Sequence, residues 1–184
     1  MTDKENHILM MKKRMAIVAV ASCAIEADGE VDDQEVAVVI KNLSAHPLFK
    51  DSDHTEESIK NLIFKCMESF RSQEALDDEL DSDDIADVRI QTVKELTKNL
   101  NREEKLSAFV IAAFTVNADD FIAFAEFLYL SALSKALGIY DEEKVQKVLS
   151  CAQMNAKVEY EAVDKVVEAA ANGDWEGIDT MFES

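Results

Sequence analysis

Ala27-Asp28-Gly29-Glu30-Val31-Asp32-Asp33-Gln34-Glu35 joins two apolar, helix-forming stretches, and its reading decides how the chain is organised. It carries five carboxylates: Asp28, Glu30, Asp32, Asp33 and Glu35. Gly29 can take positive φ without a steric cost, and so ends the preceding helix in a left-handed residue. Asp32 followed three residues later by Glu35 spells a capping box, each side chain satisfying a backbone N–H of the other's turn. Val31, the one apolar residue inside the turn, is expected to plug it into the core. Upstream, the uncharged run Met15–Ile25 is apolar all round, as in a helix enclosed by others. Downstream, Val36, Val39, Ile40 and Leu43 fall at i, i+3, i+4 and i+7, the spacing of one buried helix face.

An altered copy of the stretch stands at Ala118-Asp119-Asp120-Phe121-Ile122-Ala123-Phe124-Ala125-Glu126. A shift of 91 positions superposes Ala27 on Ala118, Asp28 on Asp119, Val31 on Ile122 and Glu35 on Glu126. Two helix-turn-helix pairs related in this way predict an all-α bundle of about seven to eight helices with a pseudo-twofold internal repeat.

The remaining periodicity fills in that bundle. The first helix is predicted over about 7–27, basic and amphipathic at its start, and the second over 33–45, stopped by His46-Pro47. Leu48-Phe49 forms a short connector. A third helix, capped by Asp53 or Thr55, runs to about residue 73, and a fourth spans about 82–100. Asn101-Arg102-Glu103-Glu104 is another capping box, opening a fifth helix to about 117. The sixth, 121–137, reads as a second central element punctuated by Gly138. A seventh starts at Asp141 and an eighth covers about 157–171. Residues 1–150 are expected to form the main domain, and 151–184 a helix and short tail whose Trp175 docks on it. The acidic run 74–84 suits a solvated face or a patch for a basic partner.

At 184 residues the chain can bury about two-thirds of its unfolded surface, so folding needs neither disulfide nor metal. Four glycines and one proline favour helices. The net charge of −19 repels phosphate backbones and anionic bilayers, which argues against nucleic acid as a partner and for cations or basic protein surfaces. Cys23, Cys66 and Cys151 form no CxxC pair and read as buried thiols of a reducing, cytoplasmic compartment. No convincing signal peptide is present. Charges at Asp119, Asp120, Glu126 and Lys135 interrupt the apolar stretch 106–139, so a buried helical hairpin fits it better than membrane insertion.

If the two turns converge, their carboxylates form a candidate metal site: Asp28, Asp32, Glu35, Asp119, Asp120 and Glu126. Oxygen donors with no His or Cys nearby select Ca²⁺ or Mg²⁺ over Zn²⁺. The turn is not an EF-hand loop, because the twelfth position from Asp28 is Val39 where a bidentate glutamate is required. The same residues have a plainer reading, in which they cap helices and meet solvent. A ferritin-like di-metal centre needs Glu-x-x-His on its helices, and none of His7, His46 and His54 has a glutamate three residues before it. No nucleophile elbow or phosphate loop is present.

Ser22-Cys-Ala-Ile-Glu-Ala-Asp-Gly-Glu-Val-Asp-Asp-Gln-Glu35 resembles the first signature of the TerB tellurite-resistance family, an alanine-rich helix followed by A-D-G-x-[IV]-x-x-x-E. The resemblance continues through His46-Pro47-Leu48-Phe49, the helix holding Phe64 and Phe70, the acidic linker and Ala136-Leu137-Gly138-Ile139, covering about residues 5–150. It places the family's acidic positions at Asp28, Glu35, Asp119 and Glu126. The second turn departs from the pattern, with Asp120 in place of a glycine and Phe121-Ile122-Ala123-Phe124 in place of a polar cap. The resemblance implies an all-α fold, no catalytic activity, divalent metal at an acidic surface, and protein partners in bacterial stress-response assemblies near the membrane. The alternatives are an acidic helical adaptor without specific metal and, more remotely, a carboxylate metal-dependent enzyme.

Overall fold

The computed structural model of the protein describes residues 2–50, 54–74, 82–118, 122 and 124–155. Among them are eight α-helices and no strand. The helices are α1 (Asp3–Ile25), α2 (Asp33–Ala45), α3 (Pro47–Lys50), α4 (Glu56–Glu74), α5 (Ser82–Leu96), α6 (Arg102–Thr115), α7 (Phe124–Leu137) and α8 (Glu143–Asn155). The expected helix over 157–171, the Trp175 tail and most of the acidic run 74–84 lie outside the described residues.

α1 is the axis of the molecule. Every residue from Ala16 to Ile25 is buried, and α4, α5 and α6 pack around that half. The enclosure matches the all-apolar reading of the run, although its first residue, Met15, remains exposed. The helix also starts earlier than expected, at Asp3 in place of His7. The cause is a capping box: Glu5 N donates to Thr2 Oγ1 at 3.3 Å, and Thr2 N donates to Glu5 Oε2 at 2.7 Å. Thr-x-x-Glu is a legible capping signal, one the sequence reading did not take up.

α2 follows its periodicity, with Val36, Val39 and Leu43 buried against α4 and α6. It ends at His46, after which Pro47 opens the single turn α3, whose Leu48 and Phe49 are buried. Proline suits a first helical position because its missing N–H would have no partner there. α5 stops four residues short of the expected Leu100 and tightens into a 3₁₀ turn, Thr97–Asn99. Leu100 must be extended to let Asn101 cap α6, with Glu104 N donating to Asn101 Oδ1 at 2.9 Å and Asn101 N donating to Glu104 Oε2 at 2.7 Å. The buried Thr97 hydroxyl donates to the Val93 carbonyl at 2.8 Å, one of those released as the helix ends.

α7 begins at Phe124, later than the expected residue 121, and Ile122 before it is outside the helix. Its end is built as read from Gly138. That residue has φ +69°, its N–H donates to the Lys135 carbonyl, and Ile139 N donates to the Ser134 carbonyl, both at 3.0 Å. This is a Schellman motif, with buried Ile139 as its apolar anchor. α7 is less enclosed than a second central helix would be, since Leu128 is half exposed. α8 packs on α7 and runs across residue 150, where the domain boundary was expected. Cys23 and Cys66 are buried free thiols, and burial raises the Cys66 pKa. No helix among the described residues is long and apolar enough to cross a membrane.

His46 makes stability at the α2–α3 junction depend on pH. Its Nδ1 accepts the Leu48 N–H at 3.2 Å, which requires that nitrogen unprotonated. Burial lowers its pKa below the ordinary 6.5, opposed by the charge of Glu104. A histidine depressed on folding stabilises fully above its unfolded pKa, and that contribution is lost as pH falls through the lower folded value. Urea unfolding at pH 7.5 and about pH 5 is expected to show a smaller loss of stability in His46→Gln than in the wild type. An equal loss would place the pH response elsewhere.

Candidate functional site

The first acidic turn is closed by its own side chains. Gly29 has φ +91°, and its N–H donates to the Glu26 carbonyl at 3.2 Å. Asp28 Oδ1 accepts Glu30 N at 3.0 Å, and Asp32 Oδ1 accepts Gln34 N. Glu35 Oε2 accepts Asp32 N at 3.3 Å, completing the capping box. Asp28 and Asp32 are exposed, whereas Glu35 is buried.

Val31 does not plug the turn. It is 41% exposed and faces Phe64, Met67 and Arg71 of α4 across an open surface depression. The left-handed Gly29 carries the chain over the end of α1, so the apolar closure falls to Val36, one turn into α2.

Of the second-turn residues, Glu126 is buried in the first turn of α7. Asp119 and Asp120 lie outside the described residues. Among the described residues, no three His, Cys, Asp or Glu side chains stand together in a way that could hold a metal ion. The described candidates therefore do not make a cation site by themselves.

The structure instead draws attention to Glu26, one residue past the end of α1, which the sequence reading passed over. Its side chain is only 5% exposed. Oε1 accepts Arg71 Nε of α4 at 2.6 Å, and Arg89 of α5 approaches Oε2 at 3.6 Å. Oε2 accepts no hydrogen bond from any described residue. That oxygen has an ion-pair partner but no hydrogen bond, and a donor brought to it would supply one. The signal was present in sequence as the first charge after an eleven-residue uncharged run, Met15–Ile25.

Glu26 opens onto a groove of about 810 Å³ between the end of α1, α5 and α7. Cys23 lies at its base, Ile85 and Ile90 line the α5 side, and Leu128 and Ala132 line the α7 side. Tyr129 anchors that wall, its hydroxyl donating to the Val20 carbonyl of α1 at 2.8 Å. Burial raises the Tyr129 pKa well above its ordinary value of 10, so the donor proton is retained. Asp28, Asp87 and Lys135 add charge to the lining. Ala125, at the start of α7, also lines the groove.

Comparison with protein-family models, curated proteins and solved structures finds no match to the chain.

Proposed function

We propose that this chain is a non-enzymatic, TerB-like helical protein of the bacterial stress response that works by contact, and that the Glu26 groove receives an apolar segment of a protein partner carrying a lysine or arginine. The observation that carries this reading is the buried Glu26 Oε2, without a described hydrogen-bond donor, in a groove where Ile85 and Ile90 of α5 and Leu128 and Ala132 of α7 set apolar surface among the charges. A lysine or arginine would supply the donor. The partner's basic character fits a net charge of −19 and a lining in which Glu26, Asp28 and Asp87 outnumber Arg89 and Lys135.

The TerB-like part of the proposal draws support from the helix positions. α2 starts at Asp33 and α7 at Phe124, 91 positions apart, and each has a buried glutamate two residues after its start, Glu35 and Glu126. The same shift relates the two turns in sequence. A pseudo-twofold repeat of helix pairs accounts for both.

The test uses a fluorescent amphipathic Leu/Lys helical peptide as the probe, with anisotropy as the readout. An acidic protein attracts such a peptide anywhere on its surface, so the deciding variant is Leu128→Asn, which keeps the net charge. Weakening by about tenfold or more in Leu128→Asn is expected, in line with loss of an apolar anchor from a docking pocket. Equal binding by the two proteins would reduce the interaction to surface charge.

Divalent metal association is a second reading, favoured by a groove lined both by Asp28 of the first turn and by Ala125 at the start of α7. Calorimetric titration with Ca²⁺ and Mg²⁺ tests it. Saturable heat lost in Asp28→Asn and in Asp119→Asn supports a site shared by the two turns. Unsaturable heat, alike in all three proteins, removes it.

A further inference from the structure

α1 is one helix in two environments. Ala16–Ile25 has no exposed residue, whereas of the twelve residues from Asp3 to Arg14 none is buried. The exposed half is nonetheless apolar along one line. Ile8 is 43% exposed, Met11 51% and Met15 38%. With Lys4 they stand at spacings of four, three and four residues, the a/d seam of a heptad repeat. Such a seam at the surface of a folded domain is a face without a partner.

The charges beside the seam indicate what covers it. Lys13 is committed within the chain, to Glu104 Oε1 at 2.7 Å, and Arg14 Nε donates to the Leu48 carbonyl at 2.6 Å. That leaves Asp3, Glu5, Lys4 and Lys12 on the arm, two of each sign, with Glu5 also accepting the Thr2 N–H through Oε2. With Lys13 neutralised by Glu104, the arm keeps only the Arg14 charge in excess, and the net charge of −19 opposes its approach to an anionic bilayer. The arm is complementary to itself. Laid antiparallel on a second copy, with Ile8 against Met11 of the partner copy, the seam puts Lys4 opposite Met15. The flanking positions then bring Glu5 beside Lys12, twice by symmetry.

We propose that two copies of this chain associate through these arms as a short antiparallel helix pair. The overlap of about twelve residues is roughly 18 Å long at 1.5 Å per residue. Antiparallel pairing puts the two acidic bundles at opposite ends of that overlap, separated by more than the Debye length of about 8 Å at physiological salt. Parallel pairing would put them side by side. The Lys4 methylenes cover Met15 while the ammonium reaches water. An interface of this size belongs to the weak, reversible class.

Sedimentation equilibrium of the full chain over about 5–500 µM, the range suited to a small interface, is expected to show a reversible monomer–dimer equilibrium. Glu5→Lys places lysines opposite lysines, and Lys12→Glu places glutamates opposite glutamates. Each alone is expected to weaken association about tenfold or more. An equimolar mixture of the two variants restores attraction at both contacts and is expected to form the heterodimer more strongly than either variant associates alone, short of wild-type strength because Glu5→Lys also opens the capping box of α1. Met11→Gln, which changes no charge, weakens association as well. Three results would overturn the proposal: a monomer throughout the range, a mixture that associates no better than its components, or a monomer that binds phosphatidylglycerol vesicles through the arm.

Discussion

Phe109→Ala is expected to lower the unfolding free energy by about 3–5 kcal/mol, the range for removing a large aromatic side chain from a packed interior. Phe109 is 2% exposed on α6, the helix that packs against both α1 and α2. Losing the ring removes its transfer free energy and leaves a void that helices fixed on several sides can close only in part. For a domain of this length the melting temperature should fall by about 6–20 °C. Urea unfolding with Leu128→Ala as the reference gives the comparison, because half-exposed Leu128 should cost less than about 1 kcal/mol. A Phe109→Ala loss no larger than that of Leu128→Ala would mean that α6 does not hold the core as described.

Glu26→Ala is expected to cost about 2–4 kcal/mol, toward the lower part of the range for breaking a buried ion pair, since Arg71 is more than half exposed and can rehydrate. Arg89 is the costlier survivor, with its side chain 15% exposed. Removing the carboxylate takes the Glu26 charge away from that largely buried guanidinium. Glu26→Gln keeps the shape and one acceptor oxygen, and should cost less than alanine. Denaturant unfolding of the two variants at low and moderate salt gives the measurement. A loss from Glu26→Ala below about 0.5 kcal/mol, the level of an exposed pair, would show that the three groups do not interact as an enclosed cluster.

What was legible in the sequence was local. The capping boxes at Asp32/Glu35 and Asn101/Glu104 are closed within three residues, and both form with the pairing read from the sequence. Gly29 and Gly138 mark backbone positions with positive φ for reasons contained in one turn. The enclosure of α1 followed from an apolar run with no polar side. Val31 was misplaced because an apolar residue in a turn says nothing about the direction the turn faces. Glu26 was missed for a related reason. Its partners Arg71 and Arg89 are 45 and 63 residues away, and only the assembled bundle brings them to it. The early start of α1 was readable from Thr2 and Glu5, a pair the sequence reading did not take up.

The sealed half of α1 also bears on how the molecule comes apart. Its ten residues are in touch with helices drawn from the middle of the chain as well as the start, so no stretch of it can loosen without exposing faces of α4, α5 and α6 together. Partial opening through that segment would require nearly the whole free energy of unfolding. The molecule should therefore shed its periphery first and surrender its mast last, with amides from Ala16 to Ile25 among the slowest in the chain to exchange with solvent deuterium.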